Sequence, residues 1–289
     1  MIAAISPWRS LLFVPAHVQR FVESAHRRGA DAVLLDLEDS VPAGQKAAAR
    51  TALGAAVERL RAHGASVLVR VNRPLGECVA DLSAAVAAGA DAVVLPKTLG
   101  PDHVRLVDEH MAEREAAGGL RVGGIGLVAM IETVDALASV RDIAAACPRL
   151  TGLAMGGEDL AAEIGVSPTP ELLFHPCQQL ALAARSAGVA AYGFPGSIAD
   201  VADREGFGAG VRQGRAMGFD GAFCIHPAQV AIVNAVYRPA AAEIEQARRI
   251  VDAYDTAVGE ERGAVIVDGC MVDLPVVERA RTLLSRVAG

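Results

Sequence analysis

At 289 residues the chain is long for an ordinary domain but close to the roughly 250 residues of a single closed βα barrel. With 52% hydrophobic but only 4% aromatic residues, its core has to be built from Ala, Val, Leu and Ile. A formal charge of −7 argues against a general affinity for nucleic acid, which needs a surplus of Lys and Arg.

Five cysteines (Cys78, Cys147, Cys177, Cys224, Cys270) are scattered without a C-x-x-C pair, so neither a disulfide framework nor a zinc site is indicated. The N-terminus lacks the charged region and apolar run of a signal peptide. No apolar run reaches the roughly 18 residues of a membrane span. A cytoplasmic protein, with neither nucleic acid nor membrane as partner, is the expectation.

In chain order, apolar strands are predicted near residues 10–14, 32–36, 66–71, 91–95, 124–130, 151–155, 188–192 and 221–225. Ala-rich helical stretches such as 43–62, 77–88, 134–146 and 171–187 alternate with them. Two segments, AHRRGADAVLLD and AVAAGADAVVLPK, repeat at a spacing of 60 residues, and Gly218-Phe219-Asp220-Gly221 begins a weaker third copy. In each, a Gly suited to the left-handed end of a helix precedes a strand buried on both faces. Eight βα units without a Gly-x-Gly-x-x-Gly turn favour a (β/α)8 TIM barrel over an open dinucleotide-binding sheet. The barrel is expected over residues 1–235. Residues 236–289 are expected to add a C-terminal helical extension, with a helix at 240–259 and an appendage at 264–289.

Chemistry in such barrels gathers at the C-terminal strand ends. There the sequence places Leu35-Asp36-Leu37-Glu38-Asp39, Arg70-Val71-Asn72, Pro96-Lys97, Met130-Ile131-Glu132 and Gly156-Gly157-Glu158-Asp159. Asp159 is either a helix cap or a ligand, and Arg70 either an ion-pair partner or an anion clamp. Glu132 is harder to explain as a cap, because it follows a long apolar run into a buried rim. Several carboxylates beside one arginine describe a site for a hard cation, Mg2+ or Mn2+, with water and substrate oxygens completing about six positions. No histidine pair with zinc spacing occurs, and His175 and His226, each before Pro, read as structural.

The ordered set of these motifs, with Arg9-Ser10-Leu11-Leu12-Phe13-Val14-Pro15 and Ile225-His226-Pro227, resembles the citrate lyase β-subunit-like branch of the HpcH/HpaI aldolase superfamily. That branch includes malyl-CoA, β-methylmalyl-CoA and citramalyl-CoA lyases, and the resemblance spans nearly the whole chain. It implies Glu132 and Asp159 as metal carboxylates, and Arg70 as the arginine on the carbonyl or enolate oxygen. Asp36 and Asp39 match acidic positions at the same mouth. The opening motif implies a coenzyme A site at Phe13, Pro15 and Arg20; Ala16 and Ser24 depart from the family's glycine and lysine there, and Arg27 or Arg28 is offered as compensation. The tail Gly269-Cys270-Met271-Val272-Asp273 resembles a segment whose aspartate handles the proton in a neighbouring subunit's site. Asp273 therefore reads either as that acid–base group or as the cap of the helix after it.

What this implies is a Mg2+-dependent carbon–carbon lyase acting on an acyl-CoA or 2-oxo acid, assembled as a trimer or hexamer. Its rivals are an aldolase on free 2-oxo acids, a citrate lyase β subunit that needs an acyl carrier, and a non-catalytic barrel.

Overall fold

The computed structural model describes residues 8–288, with side chains as far as residue 285. The chain divides into two compact units, Met1–Tyr237 and Arg238–Gly289. In the first, eight parallel strands run as β1 (Ser10–Pro15), β2 (Ala32–Asp36), β3 (Ser66–Arg70), β4 (Ala92–Leu95), β5 (Gly126–Ile131), β6 (Leu150–Met155), β7 (Ala190–Tyr192) and β8 (Ala222–Cys224). Each pairs with its neighbour in sequence, and β8 pairs with β1. A parallel bridge between Tyr192 and Gly221 joins the remaining edges, closing the (β/α)8 barrel expected from the sequence.

Helices α1 (Gln19–Ser24), α2 (Lys46–Ala62), α3 (Leu75–Ala88), α4 (Pro101–Ala117), α5 (Val134–Ala138), α6 (Val140–Ala144), α7 (Gly157–Ile164), α8 (Pro170–Ala187), α9 (Arg204–Met217) and α10 (Pro227–Tyr237) fill the connections. The second unit holds α11 (Ala241–Gly259), an antiparallel hairpin of β9 (Val265–Val267) and β10 (Cys270–Val272), and α12 (Leu274–Ala288).

The two-residue side-chain period of a strand sorts the core into two layers. Leu11, Ala32, Leu34, Leu68, Val94, Val128, Met130 and Ala154 fill the barrel with Trp8, Tyr192 and Phe223. Val33, Leu35, Val67, Val69, Leu127, Ala129 and Leu153 face the helices. The same parity, carried one step past the apolar residues, turns Asp36, Arg70 and Glu132 into the barrel mouth.

The Gly-x-Asp repeat has a physical reason. Gly29, Gly89 and Gly218 take left-handed φ of 73°, 73° and 99° and end their helices. The aspartate two residues on then latches the preceding strand of the sheet. Asp31 accepts the Arg9 N–H at 2.8 Å, Asp91 that of Val67 at 2.7 Å and Asp220 that of Ala191 at 3.1 Å. Each is also paired with an arginine: Arg9, Arg61 and Arg185 respectively.

Several boundaries differ from the sequence reading. The helix expected at 134–146 is two, divided at Ser139, whose hydroxyl donates back to the Asp135 carbonyl at 2.9 Å and so competes with the helical ladder. Strand β7 starts at Ala190 rather than 188 because Gly188 (φ 70°) caps α8 and Val189 N–H still bonds Ala184. The hairpin was not anticipated, although its turn, Asp268-Gly269, has positive φ at both residues, the geometry that Asp-Gly favours.

Strand β5 starts at Gly126 rather than 124 because Glu115 takes the N–H groups of Gly123 and Ile125 at 2.7 and 2.9 Å. Glu115 also holds Arg149 through two 2.9 Å bonds, and both residues are buried. Burial pushes the Glu115 carboxyl up, but the Arg149 and N–H bonds outweigh it and hold its pKa below the ordinary 4.5. A carboxylate with a depressed folded-state pKa stabilises fully above its ordinary pKa, and that contribution is lost as pH falls through the folded value. Glu115→Gln is therefore expected to lose about 3 kcal/mol at neutral pH, read from the urea midpoint. The deficit relative to wild type should shrink below about pH 4.

Candidate functional site

The acidic mouth is organised around Arg70. Strands β2 and β3 bring Asp36 and Arg70 level with each other. The Asp36 carboxylate accepts Nε at 2.7 Å and Nη2 at 2.8 Å, a bidentate pair. It also accepts the N–H groups of Glu38 and Ser40 and the Ser40 hydroxyl. Burial pushes the Asp36 carboxyl up, but these bonds and the Arg70 charge hold it below the usual carboxylate range. Asp36 thus shapes its loop and orients the arginine.

Arg70 Nη1 lies 2.9 Å from Glu38 Oε2 and 3.8 Å from Asp39 Oδ2, and the guanidinium sits 4.6 Å from the centre of the Phe13 ring. The Glu38 contact is an ion pair not aligned as a hydrogen bond, since that oxygen has no hydrogen-bond partner. Lys46 fixes the loop from behind, donating to the carbonyls of Leu37 and Glu38 and to Asn72.

Opposite stands Glu132, only 1% exposed. Its Oε1 accepts the Lys97 main-chain N–H at 2.5 Å, while Oε2 is buried without a partner. Burial, and then the charge of Asp159, push its pKa up to about 8. Asp159 lies in the first turn of α7 but does not cap it: the N-cap is Gly156 and no side chain caps the helix. Its neighbour Glu158 accepts the Ser197 hydroxyl at 2.5 Å and the Ile198 N–H at 3.1 Å, holding the loop after β7.

A cavity of about 440 Å³ joins these groups, with Asp36, Asp39, Arg70, Glu132 and Asp159 on one side and Phe13, Pro15, Met130, Phe194, Ile198 and Phe223 among the rest of its lining.

Among the described residues no cluster of three or more His, Cys, Asp or Glu is grouped as a metal cage. The donor set suits a cation that keeps several waters and takes one or two carboxylates, as Mg2+ does. A buried carboxylate with one unpartnered oxygen, raised in pKa by burial and then by the charge of a second carboxylate, is what a cation between Glu132 and Asp159 would relieve.

The sequence profile of HpcH/HpaI aldolase/citrate lyase matches residues 9–227. The chain belongs to this family. It is 38% identical over 282 residues to the citrate lyase subunit beta of Escherichia coli K12, covering 96% of this chain and 92% of that one. It is equally similar, over 283 residues, to a (3S)-malyl-CoA thioesterase of Cereibacter sphaeroides, covering 97% and 94%. Among solved structures, protein CitE from Mycobacterium tuberculosis in complex with magnesium, acetoacetate and coenzyme A superposes with a TM-score of 0.78 at 32% identity, covering 97% of this chain and 98% of that one. The protein is thus a citrate lyase β-like enzyme of a lyase family.

Of the residues expected at a coenzyme A site, Phe13 and Pro15 line this cavity and Arg20 does not. Arg20 is exposed on α1 with its guanidinium 4.9 Å from the Phe21 ring centre. Ser24 donates back to the Arg20 carbonyl, and Arg28 Nη2 reaches the Ser24 hydroxyl at 3.4 Å, so Arg28 rather than Arg27 approaches this position. Asp273 belongs to the second unit and directly precedes α12, where its carbonyl accepts the Val276 and Val277 N–H groups. His226 accepts the Ala228 N–H at 3.1 Å, a structural bond at the start of α10, and His175 is exposed on α8.

Three residues of the site were not singled out from the sequence: Glu38, Lys97 and Gly156. Glu38 falls between two aspartates in the quoted motif, and only its burial among Arg70 and Lys97 sets it apart. Among the described residues no helix is long and apolar enough to cross a membrane.

Proposed function

We propose that the chain is a Mg2+-dependent carbon–carbon lyase that cleaves or forms a β-hydroxyacyl-CoA of the malyl, β-methylmalyl or citramalyl type. The observation that carries this reading is that Glu132, whose Oε2 is buried without a partner, and Asp159 line one cavity together with an arginine whose fork is fixed by Asp36. Glu132 and Asp159 hold the cation. When bound, it supplies Lewis-acid charge and a template for the 2-oxo or 2-hydroxy acid fragment. Magnesium in the M. tuberculosis CitE complexes supports the choice of metal.

Cleavage between the α and β carbons leaves an enolate on the thioester fragment. With Nε and Nη2 held by Asp36, Nη1, ion-paired with Glu38 but not hydrogen-bonded to it, is the nitrogen of Arg70 that donates to that oxygen as it gains charge. Glu38 and Asp39 keep the guanidinium charged and aimed. Phe13 and Pro15 line the thioester end of the cavity, and Arg20, with Arg28 beside Ser24, meets the phosphates of coenzyme A. Asp273, from a neighbouring copy in a homotrimer or hexamer, protonates the enolate carbon and removes that proton in the reverse direction. A cytoplasmic setting fits the free cysteines.

The likeness to a malyl-CoA thioesterase supports a second reading, hydrolysis of the thioester. Incubating the purified chain with malyl-, β-methylmalyl- and citramalyl-CoA, with Mg2+ or with EDTA, separates the two. Lyase action yields a carbonyl product trapped by phenylhydrazine and no free thiol. Thioesterase action liberates the coenzyme A thiol and no carbonyl. Mg2+-dependent carbonyl release from one of the three is expected. Turnover only of pyruvate with an aldehyde, or only with an added acyl carrier, would overturn the acyl-CoA assignment.

A further inference from the structure

The Leu95-Pro96-Lys97 motif at the end of β4 contains an unusual backbone. Lys97 has a φ of 45°, and among the described residues of the barrel unit it is the only non-glycine residue with positive φ. A left-handed conformation is unfavourable for any residue with a Cβ, and lysine lacks the short polar side chain that eases it in Asn and Asp. Something must therefore hold this peptide.

The side chain does so. Lys97 Nζ donates to Glu38 Oε1 at 2.8 Å and lies 3.5 Å from Asp39 Oδ2 and 3.6 Å from Asp159 Oδ1. The main chain in turn aims its N–H at Glu132 Oε1, occupying one oxygen of that carboxylate and leaving Oε2 unpartnered. One residue thus touches all four acidic side chains Glu38, Asp39, Glu132 and Asp159.

We propose that Lys97 is the positioning residue of the carboxylate pair: its ion pairs hold a left-handed peptide whose N–H fixes Glu132 so that Oε2 is presented to the cation. This rests on the reading of Glu132 and Asp159 as the cation pair.

The test is calorimetric titration of the full chain with Mg2+. Lys97→Met and Lys97→Gly both lose the ammonium, so any effect of its charge on cation affinity is common to the two. They differ in that Gly takes the left-handed conformation freely and Met does not. Lys97→Met is expected to bind Mg2+ roughly tenfold more weakly than Lys97→Gly, the factor matching the cost of a left-handed residue with a Cβ. Equal affinities would overturn this inference alone, whereas a wild-type chain that takes up no Mg2+ overturns the metal reading as well.

Should Lys97→Met fail to fold, Glu38→Gln removes the charge of the main partner of Nζ instead. It is expected to weaken Mg2+ binding, and the double variant with Lys97→Gly should recover it. Failure to recover counts against the inference.

Discussion

Gly156→Ala is expected to weaken Mg2+ binding by roughly 10 to 100-fold and to reduce turnover in parallel, approaching the loss expected for Glu132→Gln, which removes the proposed ligand. Pairing of Ile131 with Met155 brings the ends of β5 and β6 together, so Gly156 lies against Glu132. A Cβ on residue 156 would overlap both Oε2 and Cβ of Glu132. The carboxylate cannot retreat, because Lys97 holds its other oxygen and the side chain is buried. Neither variant is expected to unfold the barrel. Burial already holds the metal-free Glu132 carboxyl largely protonated at neutral pH, with its pKa pushed up to about 8, so Gln replaces a neutral acid with a neutral amide of the same shape and should melt no lower than wild type. Calorimetry with Mg2+ and thermal melts of the metal-free chains check both statements, and a Gly156→Ala chain that binds Mg2+ like wild type would sink the placement of the cation at Oε2.

The barrel was legible because every strand is an apolar run with its own helix breaker. The Gly-Ala-Asp repeat also announced strand starts before the latches of Asp31 and Asp91 were visible. Strand parity even places Asp36, Arg70 and Glu132 on one rim, since each follows an inward-facing apolar residue by two positions. What sequence spacing cannot express is the division of labour among like residues. Asp36, Glu38 and Asp39 are three carboxylates within four positions, yet Asp36 is saturated by Arg70 and its own loop, Glu38 is buried between two cations, and Asp39 is largely exposed. The left-handed peptide of Lys97 was equally hidden, because the residue type that marks such a conformation is glycine and here a side chain enforces it. Ser139 divided a helix for a local reason, its own hydroxyl, that an Ala-rich window obscures.

Arg70→Lys and Asp273→Asn are each expected to lose turnover by about 100 to 1000-fold, and a co-assembled mixture of the two inactive chains is expected to regain about a quarter of it. Lysine keeps the charge at residue 70 but cannot satisfy both oxygens of Asp36 and still present a third nitrogen to the substrate, so the loss should fall on kcat while Mg2+ affinity changes little. Asparagine at residue 273 preserves shape and cannot take up a proton. If Asp273 acts in a neighbouring copy, a site needs Arg70 from one chain and Asp273 from the next. Random co-assembly of equal amounts then leaves about a quarter of sites with both native groups. Denaturing and refolding the mixed variants, or expressing them together, supplies the assembly, and light scattering reports whether it is a trimer or a hexamer. Recovery toward that fraction supports the shared site. A mixture no more active than its parts, in an assembly of native size, removes Asp273 from the neighbouring site and leaves the proton to a group within the barrel mouth.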